Sequence, residues 1–159
     1  MSALALFAAA VVAALPVDKA LFNPHPEYAG AKGAMTCTNG VFALAYDFTG
    51  GGHAVGVEFL QDRPVWAERV LFDACVGDRQ RIAVVARDSA GQSFYKPAEV
   101  VAAGAWRRYA CYLSAGWRIH WGGPDDGLPR PPFTMVSVTL DRMTKGVPGP
   151  GEVGTAYVK

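Results

Sequence analysis

The residues best suited to a chemical role lie in an irregular stretch over residues 114–132. Six residues of this stretch are the candidates, namely Trp117, Arg118, His120, Trp121, Asp125 and Asp126. Aromatic faces stack on the C–H faces of sugar rings, and planar polar side chains hydrogen-bond sugar hydroxyls. The stretch is therefore a candidate glycan-contacting loop. Tyr95 and Trp66 are further candidates, although a ring near a predicted strand end can either cap the core or face ligand. The alternative is that His120 and Trp121 plug one end of the fold.

The spacing of the polar residues supports a catalytic role less well than it supports glycan contact. A glycoside hydrolase needs two carboxylates that face each other across the substrate. Nothing in the sequence pairs the available ones, which are Asp47, Glu58, Asp73, Asp88, Asp125, Asp126 and Asp141. No GxSxG motif is present, and His25, His53 and His120 lack an evident partner or zinc-ligand spacing. We therefore expect no catalysis, and a small glycan-active enzyme is the weakest alternative.

The elements that must position these residues are strands, because several segments alternate apolar and other residues with a period of two. In residues 41–48 the alternation places Phe42, Leu44, Tyr46 and Phe48 on one side. A glycine-rich reversal follows, so we expect a hairpin with a strand over 53–60. Further strands are predicted at 70–76, 81–87, 92–95, 106–113, 135–142 and 154–159, with Trp106 in the core and turns at 77–78 and 88–91. The prediction is an all-β, two-sheet antiparallel sandwich of the jelly-roll type, nearly without helices.

Length and composition agree with one globular module. The chain has 159 residues, of which 51% are hydrophobic, with eighteen glycines and eleven prolines scattered between apolar runs. The formal net charge is +1, and no basic cluster accompanies an aromatic stripe, so nucleic acid is not an expected partner. Three cysteines form no metal-binding spacing, and we expect Cys75 and Cys111 to act as small buried hydrophobes in strands.

The N-terminal segment predicts export. Residues 3–15 form an apolar run that is too short to span a bilayer but has the length of a secretory signal core, although no Lys or Arg precedes it. We therefore expect a signal peptide over residues 1–14, a module over 15–159, and a secreted or periplasmic protein. A first strand or a disordered arm is the alternative. The last predicted strand ends abruptly, which favours the first module of a longer protein over a complete short one.

Several short motifs, taken in order, carry a resemblance to a known family. They are the segments 27–33, 44–52 and 87–92, then Trp106, then residues 120–123 and 126–127. Together they resemble galactose-binding-like jelly-roll modules, similar to carbohydrate-binding modules, that are attached to bacterial glycoside hydrolases. The resemblance runs from about Phe22 to Lys159, although the chain lacks the acidic residue that usually follows the last strand. It implies a non-catalytic module that holds a covalently linked enzyme near polysaccharide. Several such modules bind a structural calcium, but the sequence does not indicate its ligands. The alternative to a carbohydrate-binding module is a structural or domain-docking sandwich with no sugar ligand.

Overall fold

The computed structural model describes residues 20–24, 31–51, 54–77, 80–97, 104–142 and 153–159, and within these ranges it contains strands and no helix. In chain order the strands are β1 Ala20–Pro24, β2 Lys32–Thr38, β3 Val41–Asp47, β4 Ala54–Val65, β5 Arg69–Cys75, β6 Gln80–Asp88, β7 Ser93–Pro97, β8 Arg107–Tyr112, β9 Ile119–Trp121, β10 Phe133–Arg142 and β11 Val153–Val158. They form a six-stranded sheet in the order β1-β4-β10-β6-β7-β9 and a five-stranded sheet in the order β2-β3-β11-β5-β8. All the pairings are antiparallel, so the predicted two-sheet sandwich is confirmed.

The core lies between the two sheets and is built from alternate residues of each strand. From the five-stranded sheet, the side of β3 that the alternation predicted is buried, and Phe42 contacts Phe59 of β4 edge to face across the sandwich. From the six-stranded sheet, Val136, Val138 and Leu140 of β10 enter the same cluster. Because a strand directs successive side chains to opposite faces, the residues between these point away from the core.

The predicted hairpin between residues 41–48 and 53–60 is wrong. Strand β3 pairs with β2 and β11 in one sheet, while β4 pairs with β1 and β10 in the other. A turn closed by the bond from Gly51 N–H to the Phe48 carbonyl, 3.1 Å long, lies where the chain leaves the first sheet. The two strands thus face each other across the core, which lets each apolar face pack against the other.

The other strand predictions are confirmed to within a few residues, and the turn at 88–91 is present. The alternation did not predict β1, β2 or the short β9. Trp106 was expected in the core but is 45% exposed, because it precedes β8 and packs beside the outward-facing Tyr157 of β11. No disulfide joins the cysteines: Cys111 is buried as expected, Cys75 is partly buried and Cys37 is exposed.

Two predictions fall wholly or partly outside the described residues. The proposed signal segment, residues 1–14, and part of the turn at 77–78 are not among them. In the ranges that are described, no helix is long and apolar enough to cross a membrane.

Candidate functional site

The outward side of the six-stranded sheet carries a group of polar and aromatic side chains that we call the outer face. Along β10, Ser137, Thr139 and Asp141 alternate with the core residues and so project from this side. The pairing registers bring to the same side Glu58 of β4, Arg81 and Arg87 of β6, Tyr95 of β7, and Ile119 and Trp121 of β9. The outer face therefore gathers hydrogen-bonding groups from five neighbouring strands.

The middle of the outer face is shielded although it points away from the core. Ser137 and Thr139 are 4% and 6% exposed, and their hydroxyl oxygens lie 3.3 Å apart. Gly56 of β4 lies beside them, and a Cβ at that position would stand 3.0 Å from both oxygens. Nearer the edges, Leu60 and Ile119 are exposed. Small, shielded residues at the centre and exposed apolar residues towards the edges indicate a face that is recessed along its middle.

Three neighbouring strands contribute one hydrogen-bonded cluster to the outer face. Arg81 of β6 donates to the Asp141 carboxylate of β10 from Nε at 3.0 Å and from Nη2 at 2.8 Å. The Tyr95 hydroxyl of β7 donates to the same oxygen, Oδ2, at 2.6 Å. The Arg81 guanidinium also lies 6.0 Å from the centre of the Tyr95 ring. The cluster fixes the positions of a guanidinium and an aromatic ring on the outer face.

Electrostatics favour the neutral form of Tyr95 and the charged form of Arg81. Burial, together with the hydrogen bond to the Asp141 carboxylate, raises the pKa of Tyr95 far above its usual range. Burial lowers the pKa of Arg81, but the hydrogen bond and the charge of Asp141 outweigh it and raise the pKa overall. The Asp141 side chain is 7% exposed, and its Oδ1 is buried without a hydrogen-bond partner among the described residues. The cluster therefore presents a neutral phenol and a guanidinium cation beside Asp141, whose Oδ1 is an unused acceptor.

Trp117, predicted to contact ligand, is partly buried against the core. Its indole packs against the core and lies 5.4 Å from the Phe94 ring, and its Nε1–H donates to the Leu113 carbonyl at 3.0 Å. His120 pairs with Phe94 in the β7–β9 register, on the core side of the sheet, and its Nδ1 lies 2.9 Å from Asp125 Oδ1. Of the alternative plug of His120 and Trp121, His120 therefore lies on the core side of the sheet, whereas Trp121 lies on the outer face.

Asp126 secures the loop that follows β9. Its Oδ1 accepts hydrogen bonds from Leu128 N–H at 3.0 Å and from the fully buried Gln92 amide at 3.2 Å. Its Oδ2 accepts a short hydrogen bond from Arg130. This guanidinium, as the main cause, holds the pKa of the Asp126 carboxyl well below its usual range. Asp126, predicted to bind ligand, therefore has its oxygens committed within the protein.

The same loop is fastened to the turn after β6. Buried Asp88 accepts hydrogen bonds from the backbone N–H groups of Ala90 at 2.9 Å, Gln92 at 3.0 Å and Arg130 at 2.9 Å. Gly123 lies so close to this turn that a Cβ there would stand 2.7 Å from the Ala90 carbonyl oxygen. These contacts hold β9, and with it Trp121, at the edge of the outer face.

The remaining predicted site residues are distributed unevenly. Tyr95 and Trp121 both lie on the outer face. Two predicted site residues from different segments of the chain are thus brought to the same side of the sheet. Arg118 is exposed, and its backbone N–H donates to the Tyr95 carbonyl at 3.0 Å. Trp66 is 71% exposed in the connection between β4 and β5, and no described contact joins it to the others.

Sequence reasoning missed the hydrogen-bonding residues of the sheet itself. Asp141 was considered only as a catalytic carboxylate, and Arg81, Ser137 and Thr139 were not considered as site residues. The available signal was the alternation Ser-Val-Thr-Leu-Asp over residues 137–141, which places polar groups regularly on the side opposite the core.

Two other carboxylates, those of Asp73 and Asp47, lie on the five-stranded sheet, away from the outer face. Asp73 of β5 forms a bidentate pair with Arg108 of β8 on the other sheet, with distances of 2.8 and 2.9 Å. Asp47 accepts hydrogen bonds from the side chain and backbone of Thr49. Within the described ranges, no group of three or more His, Cys, Asp or Glu side chains is arranged to hold a metal ion.

Comparison with known proteins supports the fold. No family model matches the sequence, and no curated protein matches it. Among solved structures, the family 11 carbohydrate-binding module of a cellulosomal cellulase from Clostridium thermocellum is 14% identical, with a TM-score of 0.62 and coverage of 94% of this chain and 92% of that chain. The same family's module from that organism, in complex with a β-1,3-1,4-mixed-linked tetrasaccharide, is 15% identical, with a TM-score of 0.58 and coverage of 87% and 83%.

An enzyme also contains a similar module. An exo-β-agarase is 14% identical, with a TM-score of 0.51, and the match covers 82% of this chain but 22% of the agarase. At these identities the likeness is one of fold. The predicted resemblance to carbohydrate-binding sandwich modules of bacterial glycoside hydrolases is thereby confirmed at the level of structure.

Proposed function

We propose that this chain is a non-catalytic carbohydrate-binding module and that the outer face of its six-stranded sheet binds an oligo- or polysaccharide. The observation that carries the proposal is the hydrogen-bonded cluster of Arg81, Asp141 and Tyr95 on the outer face. Planar polar groups in fixed positions suit the hydroxyls of a sugar, and aromatic rings suit its C–H faces. Of the loop predicted to contact glycan, this proposal retains Trp121, at the edge of the outer face, and assigns Trp117 to the core.

The dimensions of the outer face suit a chain of sugars. Six strands spaced by about 4.8 Å extend over roughly 24 Å from β1 to β9. A chain lying across the strands would pass Tyr95 and the β10 hydroxyls in turn. The isolated family 11 module binds a mixed-linked glucan fragment, and a neutral glucan is therefore a suitable first ligand to test.

The proposal also covers the export of the module and its linkage to another domain. We propose that the module is exported and that it holds a covalently linked catalytic domain near polysaccharide. The agarase match supports the second point, since a similar fold makes up about a fifth of that enzyme's chain. The apolar segment at residues 3–15 supports the first.

Affinity gel electrophoresis tests the binding of glycan. The protein is run through native gels that contain neutral mixed-linked β-glucan, xylan or agarose, and retardation gives the affinity. Trp121→Ala should weaken binding by about 1 to 3 kcal/mol, as expected for an interface aromatic. Trp106→Ala is the matched control, because this exposed tryptophan packs beside Tyr157 on the other sheet. Denaturant melts of both variants separate lost binding from lost folding.

A second function, docking to another domain, is favoured by one observation. The outward side of the five-stranded sheet carries exposed aromatic and apolar residues, namely Leu71, Trp106, Tyr112 and Tyr157. If none of the gels retards the wild-type module, the glycan proposal fails and docking through this surface becomes the better explanation.

A further inference from the structure

Two opposite charges on the outer face, those of Arg81 and Asp141, are paired with each other. Arg81 is neutralised by Asp141 across the β6–β10 pairing, where the two residues stand directly opposite each other. The Arg81 side chain is 28% exposed, whereas that of Asp141 is 7% exposed. A ligand on this face would therefore meet the guanidinium more readily than the carboxylate that neutralises it.

Asp141 uses only part of the hydrogen-bonding capacity of Arg81. A guanidinium has five N–H groups, and two are directed at Asp141 Oδ2. The Tyr95 side chain also interacts with the guanidinium, which leaves part of its donor capacity for other partners. Because Oδ2 also accepts from the Tyr95 hydroxyl, the Arg81 side chain is held in one orientation, and its guanidinium remains partly exposed.

The pairing also determines which ligand those donors suit. An unpaired arginine binds a carboxylate or a sulfate through two parallel hydrogen bonds. Here Asp141 already occupies the edge formed by Nε and Nη2, and its negative charge opposes a second anion nearby. Sugar hydroxyls accept hydrogen bonds without bringing charge, so they meet no such opposition.

We infer that Asp141 is a positioning residue that makes Arg81 a donor to neutral sugar hydroxyls and so selects uncharged glycans over carboxylated or sulfated ones. This inference rests on the proposed binding of glycan at the outer face. Arg81 is the residue that touches ligand, and Asp141 acts through it by orientation and by charge.

The test compares a neutral glycan with an anionic one. Wild-type protein, Asp141→Asn and Arg81→Gln are titrated with mixed-linked β-glucan oligosaccharides and with oligogalacturonate, each at low and high salt. Wild type should bind the neutral ligand with little dependence on salt. Asp141→Asn should bind it about tenfold more weakly, the scale of one charged hydrogen bond. The same variant should gain binding to oligogalacturonate that high salt removes.

The double variant and an off-site control separate positioning from net charge. If Asp141 acts through Arg81, the double variant should bind the neutral glycan no more weakly than Arg81→Gln alone and should lose the gain for the anion. Asp73→Asn is the control, because it frees Arg108 from a similar pair on the other sheet. An equal gain for the anion in Asp73→Asn would assign the effect to net charge and overturn the inference.

Each remaining outcome also decides the question. Thermal melts are run on every variant. If Asp141→Asn does not fold, the binding of Arg81→Gln is used instead. A loss of about tenfold in its affinity for the neutral glycan supports the inference, and unchanged affinity overturns it. A wild-type preference for oligogalacturonate would overturn the selectivity while leaving glycan binding intact. If wild type binds neither ligand nor any polysaccharide in the gels, the proposed function itself fails and the inference with it.

Discussion

Replacing Trp117 by alanine tests whether the loop after β8 supports the core or serves the ligand. The ring is partly buried, packs against the core cluster and lies 5.4 Å from Phe94. A fully buried tryptophan replaced by alanine costs about 3 to 5 kcal/mol, so a half-buried ring should cost about 2. The lost hydrogen bond from Nε1 to the Leu113 carbonyl adds about 1 kcal/mol. We expect Trp117→Ala to reduce the free energy of unfolding by about 3 kcal/mol.

Urea unfolding followed by far-ultraviolet circular dichroism measures this change without depending on tryptophan fluorescence. For a protein of this size, 3 kcal/mol corresponds to a fall in Tm of about 6 to 12 °C. Trp117→Phe keeps the ring contact but loses the donor, so it should cost about 1 kcal/mol. Trp66→Ala is the control: this side chain is 71% exposed, and its loss should stay within about 0.5 kcal/mol.

A small effect of Trp117→Ala, no larger than that of Trp66→Ala, would refute the structural role. It would also return Trp117 to the set of possible ligand contacts that the sequence indicated. If Trp117→Ala loses about 3 kcal/mol of unfolding free energy while the folded fraction keeps its glycan affinity, Trp117 supports the core and does not contact the ligand.

Three further predictions concern the same loop, acid stability and the cysteines. Asp88→Ala leaves three backbone N–H groups without their acceptor, so urea melts should show a loss of about 3 kcal/mol or more; a change as small as that of Trp66→Ala would contradict this. The pKa of Asp126 is lower in the folded protein than in the unfolded chain, because Arg130 donates to its carboxylate. The resulting stabilisation is present above about pH 4 and is lost as the pH falls towards the folded pKa. Asp126→Asn should therefore flatten the decline of stability below pH 4, and parallel acid titrations of the two proteins would show that the ion pair does not contribute. Thiol titration should find Cys37 reactive in the native state and all three cysteines after unfolding, with stability independent of reductant; a reductant-dependent Tm would reveal a disulfide.

Local sequence pattern was sufficient for the fold class and for most strands. In β3 and β10 the alternation of apolar residues identifies the buried side, because only one face of each strand meets the other sheet. The Asp-Ser-Ala-Gly turn after β6 was readable for a similar reason, since its carboxylate bonds backbone groups two and four residues ahead. These features depend on neighbours in sequence, so the sequence alone determines them.

The alternation of apolar residues does not indicate to which of the two sheets each strand belongs. Strands β3 and β4 both alternate, and nothing in either segment distinguishes pairing side by side from facing each other across the core. Trp106 illustrates the same limit, since its environment is made by Tyr157 and Lys159, about fifty residues away in sequence. Its exposure was decided by which strands became neighbours in the five-stranded sheet.

The candidate site depended still more on tertiary structure. The aromatic loop drew attention because its residues are adjacent in sequence, yet the fold directs Trp117 against the core and Trp121 onto the outer face. Arg81 and Asp141 are 60 residues apart and meet only because β6 and β10 pair in register. The sequence determined which residues could hydrogen-bond and which side of each strand is buried. Only the order of strands in the six-stranded sheet placed a guanidinium, a carboxylate and a phenol together, because such contacts are made between strands and leave no local pattern.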